Sequence, residues 1–126
     1  MNQLQYDKYN RMLSSPIDVL IHAKDKKGNY HFLIRGNSKY KVSIYKKSGI
    51  ISCTCPDYRF HCKSATPPYL CKHCLFILIK YTRYIKHIGN KKTTEVNHPF
   101  YKQCIIKEWN TFVSCIDKLG PCNLLK

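Results

Sequence analysis

Cys53-Thr54-Cys55-Pro56-Asp57-Tyr58 and, further on, Cys71-Lys72-His73-Cys74-Leu75-Phe76-Ile77-Leu78 decide how this chain of 126 residues folds. Fifteen residues separate Cys55 from Cys71. Residues i and i+2 of a strand point to the same side. Cys53 and Cys55 can therefore present two sulfurs together at a strand end, and Pro56 then turns the chain away. Within a helix, positions i and i+2 lie roughly 200° apart. Cys71 and His73 can share a metal only at a helix entrance, where the backbone is not yet regular. The spacing predicts a strand-end pair and a helix-start pair joined by a loop. Three thiolates and one imidazole fill a zinc tetrahedron with no open position, which is the arrangement of a structural site. The candidate ligands are Cys53, Cys55, Cys71 and His73, and the cofactor they suit is Zn2+.

The sequence on either side fits that frame. Upstream, Tyr30, Phe32 and Ile34 alternate with polar neighbours, Gly36-Asn37 makes a turn, and Tyr40, Val42 and Ile44 alternate with Lys39, Lys41 and Ser43. Lys47-Ser48-Gly49 makes a second turn before Ile50 to Cys53. This period of two, punctuated by turn residues, predicts an antiparallel meander. Ile17 to Ala23 reads as one more short strand, and residues 1–16 as a loose arm or short helix. Residues 56–68 have no period and read as a long loop. Downstream, Ile77, Leu78, Tyr81, Tyr84, Ile85 and Ile88 share one side at 100° per residue. Lys72, Lys80, Arg83, Lys86 and His87 share the other. A helix from about Cys71 to about Ile88, stopped by Gly89-Asn90, is predicted. Lys91 to Asn97 is a polar linker, and Ile105 to Ile116 has the spacing of a second helix closed by Gly120-Pro121. The predicted fold class is α+β: a small antiparallel meander, a zinc-clamped loop, an amphipathic helix, and a second helix packing back. Residues 1–29 form the arm and first strand, 30–90 the metal-binding unit, and 91–126 the linker and C-terminal helix.

Cys53-x-Cys55, a variable loop and Cys71-x-His73, with strands before and an apolar helix after, resemble the SWIM zinc finger. Cys55-Pro56-Asp57-Tyr58 is similar to the Cys-Pro-Asp-aromatic run common in that family. The resemblance covers about residues 30–88. It implies zinc binding and a role in DNA binding or protein contact. Members occur in SWI/SNF-type ATPases, Mutator-type transposases, plant transcription factors, and some kinases and ubiquitin ligases. The ubiquitin-ligase members carry a RING domain beside the finger. This chain lacks further ligands at RING spacing, so that activity is not implied.

Two other cysteines lie close to the pattern. Cys62, preceded by His61, sits inside the loop, and Cys74 directly follows the matched histidine. Either can replace a family ligand, and Cys53, Cys55, Cys71 and Cys74 would make a four-cysteine site. Cys104, Cys115 and Cys122 have no ligand spacing among them and read as small buried hydrophobes. His22, His31, His87 and His98 read as surface or capping residues. Trp109 reads as a core anchor of the second helix.

Lys plus Arg number 22 against 7 Asp plus Glu, a formal charge of +15. Apolar residues make up 44% of the chain, enough for a core. The longest apolar run, Leu75 to Ile79, is too short to span a membrane. The first residues have neither a charged nor an apolar segment of a secretory signal. Eight cysteines without such a signal read as metal ligands in a reducing compartment, nucleus or cytoplasm, with a host cell or virion as a further setting. Between Asp57 and Glu95 there is no acidic residue. The basic candidates for a nucleic acid or an acidic partner are Lys63, Lys72, Lys80, Arg83, Lys86, Lys91 and Lys92. Lysine dominance points to phosphate contacts with little sequence preference, because bidentate guanine contacts favour Arg. No paired carboxylates, Gly-rich phosphate loop or Ser-His-Asp candidate is present, so the expected protein is no enzyme. The expected function is a zinc-binding module that contacts nucleic acid, DNA foremost, through the basic helix face. The rival is a protein-interaction adaptor or a small accessory subunit of a larger assembly, viral ones included.

Overall fold

Alternation sets the sheet. In the computed structural model, β2 (Tyr30–Arg35) and β3 (Lys39–Ile44) pair antiparallel, with Tyr30 opposite Ile44, Phe32 opposite Val42 and Ile34 opposite Tyr40. The structure describes residues 3–64, 70–85, 106–120 and 122–124, with side chains from residue 7 onward. β1 (Asp18–Lys24) runs antiparallel to the other side of β2, with a bulge between Val19 and Ile21. β4 (Ile51–Cys53) adds to β3 and forms one sheet edge. A short β5 (Asn123–Leu124) lies parallel to β1 at the other edge. The order is β4-β3-β2-β1-β5, so the fold is α+β around an antiparallel meander.

One face of the sheet carries the core. Phe32, Ile34, Val42, Ile44 and Ile51 are fully buried. The helices cover this face. α1 (Gln3–Ser14) makes a regular helix of 12 residues where a loose arm or short helix was expected, and it packs on α2 (Lys72–Phe76) with Met12 buried. α3 (Trp109–Asp117) packs back through Trp109 and Phe112, whose rings lie 5.9 and 5.7 Å from Tyr30. Trp109 is thus a core contact.

Two local expectations need correction. The helix that starts at Lys72 is not continuous: it breaks after Tyr81, and Tyr84 and Ile85 are helical again at the end of the described stretch. Before the break it widens into a π-helical turn over Ile77–Tyr81. The Thr82 N–H bonds the Ile77 carbonyl five residues back (2.9 Å), and its hydroxyl donates to the same carbonyl at 2.7 Å. Thr82 Oγ1 also accepts the Tyr84 N–H at 3.2 Å. Such side-chain bonds to the backbone compete with the helical ladder. Arg83 then takes a left-handed conformation (φ 59°), which a helix cannot continue through. The apolar side was nonetheless read correctly: Ile77, Leu78 and Tyr84 are buried. The segment after Pro56 is also more ordered than a plain loop. Tyr58–Cys62 forms a second π-helical turn. The predicted features at Pro67-Pro68, Ile88 to Asn90, Lys91 to Asn97 and Cys104 lie outside the described residues.

Candidate metal centre

Each ligand is placed by a short element at the sheet edge. Cys53 ends β4 opposite Val42. Thr54 then locks the strand end to β3: its N–H donates to the Lys41 carbonyl (3.1 Å), and its hydroxyl accepts the Lys41 N–H (2.9 Å). This holds Cys55 on the same side as Cys53. Cys71 precedes α2 in an extended conformation (φ −76°, ψ 168°), and His73 lies in the first turn. The irregular residue at the helix mouth is what lets positions i and i+2 converge.

The four side chains do converge. One ligand atom from each of Cys53, Cys55, Cys71 and His73 lies within 4.8 Å of all the others, and all four residues are buried. His73 turns Nδ1 toward the sulfurs, 3.8 Å from Cys53 Sγ and 4.0 Å from Cys71 Sγ. The Tyr40 ring lies 5.1 Å from the imidazole, centroid to centroid, and Nε2 faces the Gly36 backbone. A tetrahedron with metal–sulfur bonds of about 2.3 Å and a metal–nitrogen bond of about 2.0 Å has edges of about 3.5–3.8 Å. The observed separations need to contract only slightly to reach that geometry. Three thiols and an imidazole are a soft, nitrogen-and-sulfur donor set, and the cluster can hold a metal ion.

Backbone and charge support the sulfurs. Cys53 Sγ accepts the Cys55 N–H (3.4 Å), and Cys55 Sγ accepts the Tyr58 N–H (3.3 Å). Such bonds favour a charged sulfur. A hollow of about 170 Å³ opens onto Cys55, Cys71 and His73, and Lys8, Arg11 and Lys72 line it. A divalent ion with three thiolates carries about one negative charge, which Arg11 and Lys72 would offset, since Lys8 is paired with Asp57, which lines the same hollow. Without a metal, Cys53 and Cys55 hold their protons. Hydrogen bonding with Cys55, joined by burial, pushes Cys53 well above the ordinary thiol range. Cys55 is held at about 11, where the contact with Cys53 lowers it but Cys71 and burial raise it more.

The two neighbouring cysteines take different places. Cys74 lies beside the cluster, its sulfur 3.6 Å from Cys71 Sγ, but outside the mutually close four. Cys62 is fully buried and contacts Asp57, its Sγ 3.8 Å from Oδ2. Burial, then the Asp57 charge, pushes its thiol up to about 12. Asp57 is itself gripped by Lys8 of α1, Nζ to Oδ1 2.8 Å. That pair was not read from the sequence. Asp57 carried a signal, as an isolated acid two residues after a ligand in a basic chain, but nothing near Lys8 marks it. His22 and His31 play local roles, with Tyr81 Oη at 2.7 Å, and with Asp25 at 2.8 Å and Ser43 at 2.9 Å.

Among the described residues, the basic candidates stand on separate elements. Lys63, Lys80 and Arg83 are exposed, on the turn after Tyr58, in the second π-helical turn and beyond it. Lys72 is half-buried and lines the hollow at the cluster instead. Lys86, Lys91 and Lys92 lie outside the described residues. Among the described residues, no helix is long and apolar enough to cross a membrane. In comparison with known proteins, the chain matches no family model, no curated protein and no solved structure.

Proposed function

We propose that this chain is a non-enzymatic zinc-binding module of SWIM type that contacts nucleic acid through a basic surface, with little sequence preference. The observation that carries the zinc part is the buried convergence of Cys53, Cys55, Cys71 and His73. A closed set of three thiolates and an imidazole suits zinc in a structural role and leaves no position for a substrate. The nucleic-acid part is supported by charge. The chain bears +15, and Lys63, between the two ligand pairs in sequence, and Lys80 and Arg83, after them, are exposed. Basic side chains on a polyphosphate release counterions, so binding should fall steeply with salt.

The test is elemental analysis of reduced protein, followed by a salt series with random-sequence DNA. About one zinc per chain is expected. With about four phosphate contacts, affinity should drop about a hundredfold between about 50 and 200 mM salt. Metal-free protein would refute the zinc reading. Absence of binding at low salt would refute the nucleic-acid reading. That second result would favour the rival, an adaptor for an acidic protein surface or an accessory subunit. Leu20 and Ile21, exposed together on β1, speak for that rival.

A further inference from the structure

Phe60 is 67% exposed, more than any other large hydrophobic residue among those described. It stands on the π-helical turn Tyr58–Cys62, whose other solvent-facing residues are Arg59 and His61, with Lys63 directly after. The Arg59 guanidinium lies 5.7 Å from the centroid of the Phe60 ring. Leaving a phenylalanine in water forgoes about 1.5–3 kcal/mol of burial.

The rest of the turn is fixed. Tyr58 and Cys62 are buried beneath it. The Tyr58 hydroxyl donates to the Ile51 carbonyl (3.1 Å), its N–H donates to Cys55 Sγ (3.3 Å), and the Lys63 N–H closes the turn on the Tyr58 carbonyl (2.9 Å). The Lys8–Asp57 pair braces the entrance. An exposed aromatic on a pinned turn, with Arg59 against its ring and Lys63 three residues on, and with no acid in the sequence between Asp57 and Glu95, has the two parts needed to hold a single strand. A ring offers a face to an unpaired base, and neighbouring cations meet the phosphates on either side. A duplex hides its base faces and gives the ring nothing to stack on.

We infer that the Arg59–Lys63 turn is a stacking platform for an unpaired base of single-stranded nucleic acid, with Phe60 as the ring and Arg59 and Lys63 on the flanking phosphates. This rests on the nucleic-acid reading above and narrows it from duplex DNA to unpaired strands. DNA and RNA share this chemistry.

The test uses the full, zinc-loaded chain and fluorescence anisotropy with labelled oligo-dT, oligo-rU and a duplex of equal length across a salt series. At least one single strand should bind more tightly than the duplex, and the two homopolymers separate DNA from RNA as the source. Phe60→Ala should weaken single-strand binding about five- to a hundredfold without changing the salt slope, because stacking releases no counterions. Phe60→Trp should retain affinity. Arg59→Gln with Lys63→Gln should instead flatten the slope by about 1.4, at about 0.7 per phosphate contact. Phe60 is exposed, so its variants should keep their zinc and their circular dichroism. If wild type binds the strands but Phe60→Ala binds equally well, or loses affinity only by changing the slope, the stacking inference fails while the nucleic-acid reading stands. If wild type binds neither strand nor duplex at low salt, both fail.

Discussion

Cys55→Ser tests the metal centre with little disturbance of packing. Serine is close to cysteine in size, and its oxygen can still accept the Tyr58 N–H that Cys55 Sγ now accepts. A structural zinc site of this kind binds with about 10–16 kcal/mol at neutral pH, or dissociation constants of about 10⁻⁷ to 10⁻¹² M. At about 10 μM free zinc, the native state gains about 3–9 kcal/mol over the metal-free chain. Unfolding entropy of about 2.1 cal/mol/K per residue, applied to 126 residues, turns that into about 12–35 °C of melting temperature. The Cys55→Ser protein should therefore purify without stoichiometric zinc and melt lower by that interval. Chelated wild type should melt at the same point. Cys74→Ser, changing the sulfur beside the cluster, should keep its zinc. Acid should mimic the chelator, because Cys53 and Cys55 are held above the ordinary thiol range without a metal and must shed protons to bind. Each displaced thiol proton makes the affinity climb about tenfold per pH unit. The assay is elemental analysis of reduced protein with thermal melts followed by circular dichroism. A Cys55→Ser protein that stays zinc-loaded and melts like wild type would show that the ligand set is wrong.

Lys80→Glu combined with Arg83→Glu should abolish polyanion binding without unfolding the chain, since both residues are exposed; unchanged affinity in the salt series would move the contact surface elsewhere. Thr82→Val should cost about 1–3 kcal/mol in urea denaturation, because it strands the Tyr84 N–H and removes the bond to the Ile77 carbonyl at a buried site; a cost near zero would refute the account of the helix break. Asp25 is held well below its ordinary value of 3.8, first by its bond to His31 and then by the N–H groups of Asn29 and Lys27. Its contribution is fully present above about pH 4 and is lost as pH falls further, because the unfolded carboxylate takes up its proton first. Asp25→Asn should lower the urea midpoint at neutral pH, with the gap to wild type closing in acid; a gap that widens in acid would reverse the assignment.

What the sequence made legible was whatever depended on near neighbours. Period-two alternation placed Tyr30, Phe32, Ile34, Val42 and Ile44 on the core face, because strand geometry leaves no other choice. The i, i+2 argument placed Cys71 and His73 at a helix mouth, because no regular helix can bring them together. The helix break was missed because Ile85 and Ile88 continue the apolar period past Thr82. A threonine hydroxyl reaching the Ile77 carbonyl is a local alternative that periodicity does not weigh. The ordered turn at Tyr58 was missed for a different reason. Its stability comes from Ile51, Cys55 and Lys8, which are distant in the chain or belong to the metal cluster. Propensity within residues 56–64 carries no trace of them. Phe60 was passed over because an isolated aromatic in an aperiodic stretch looks like an ordinary loop residue until its neighbours are known to be pinned.

These contacts show what a metal at this point of the fold would do. β4 has three residues and α2 five, lengths at which neither element is stable alone. The turn between them buries only Tyr58 and Cys62. Hydrophobic contact secures the meander through Phe32, Ile34 and Val42 and continues to this edge through Ile51, Leu70, Leu75 and Ile77, with the three thiols and the imidazole buried beside them. An ion bound by Cys53 and Cys55 on one side, and Cys71 and His73 on the other, would add a second tie between short elements that also meet in the core. Tyr58 carries that constraint outward, bonded to Cys55 Sγ through its N–H and to Ile51 through its hydroxyl. The exposed Arg59, Phe60 and Lys63 are thereby held in fixed relation to the sheet. On the zinc reading the ion's role would be positional: the four side chains that would hold it are buried, Arg11 and Lys72 would offset its charge, and what reaches solvent is the shape of the turn beside it.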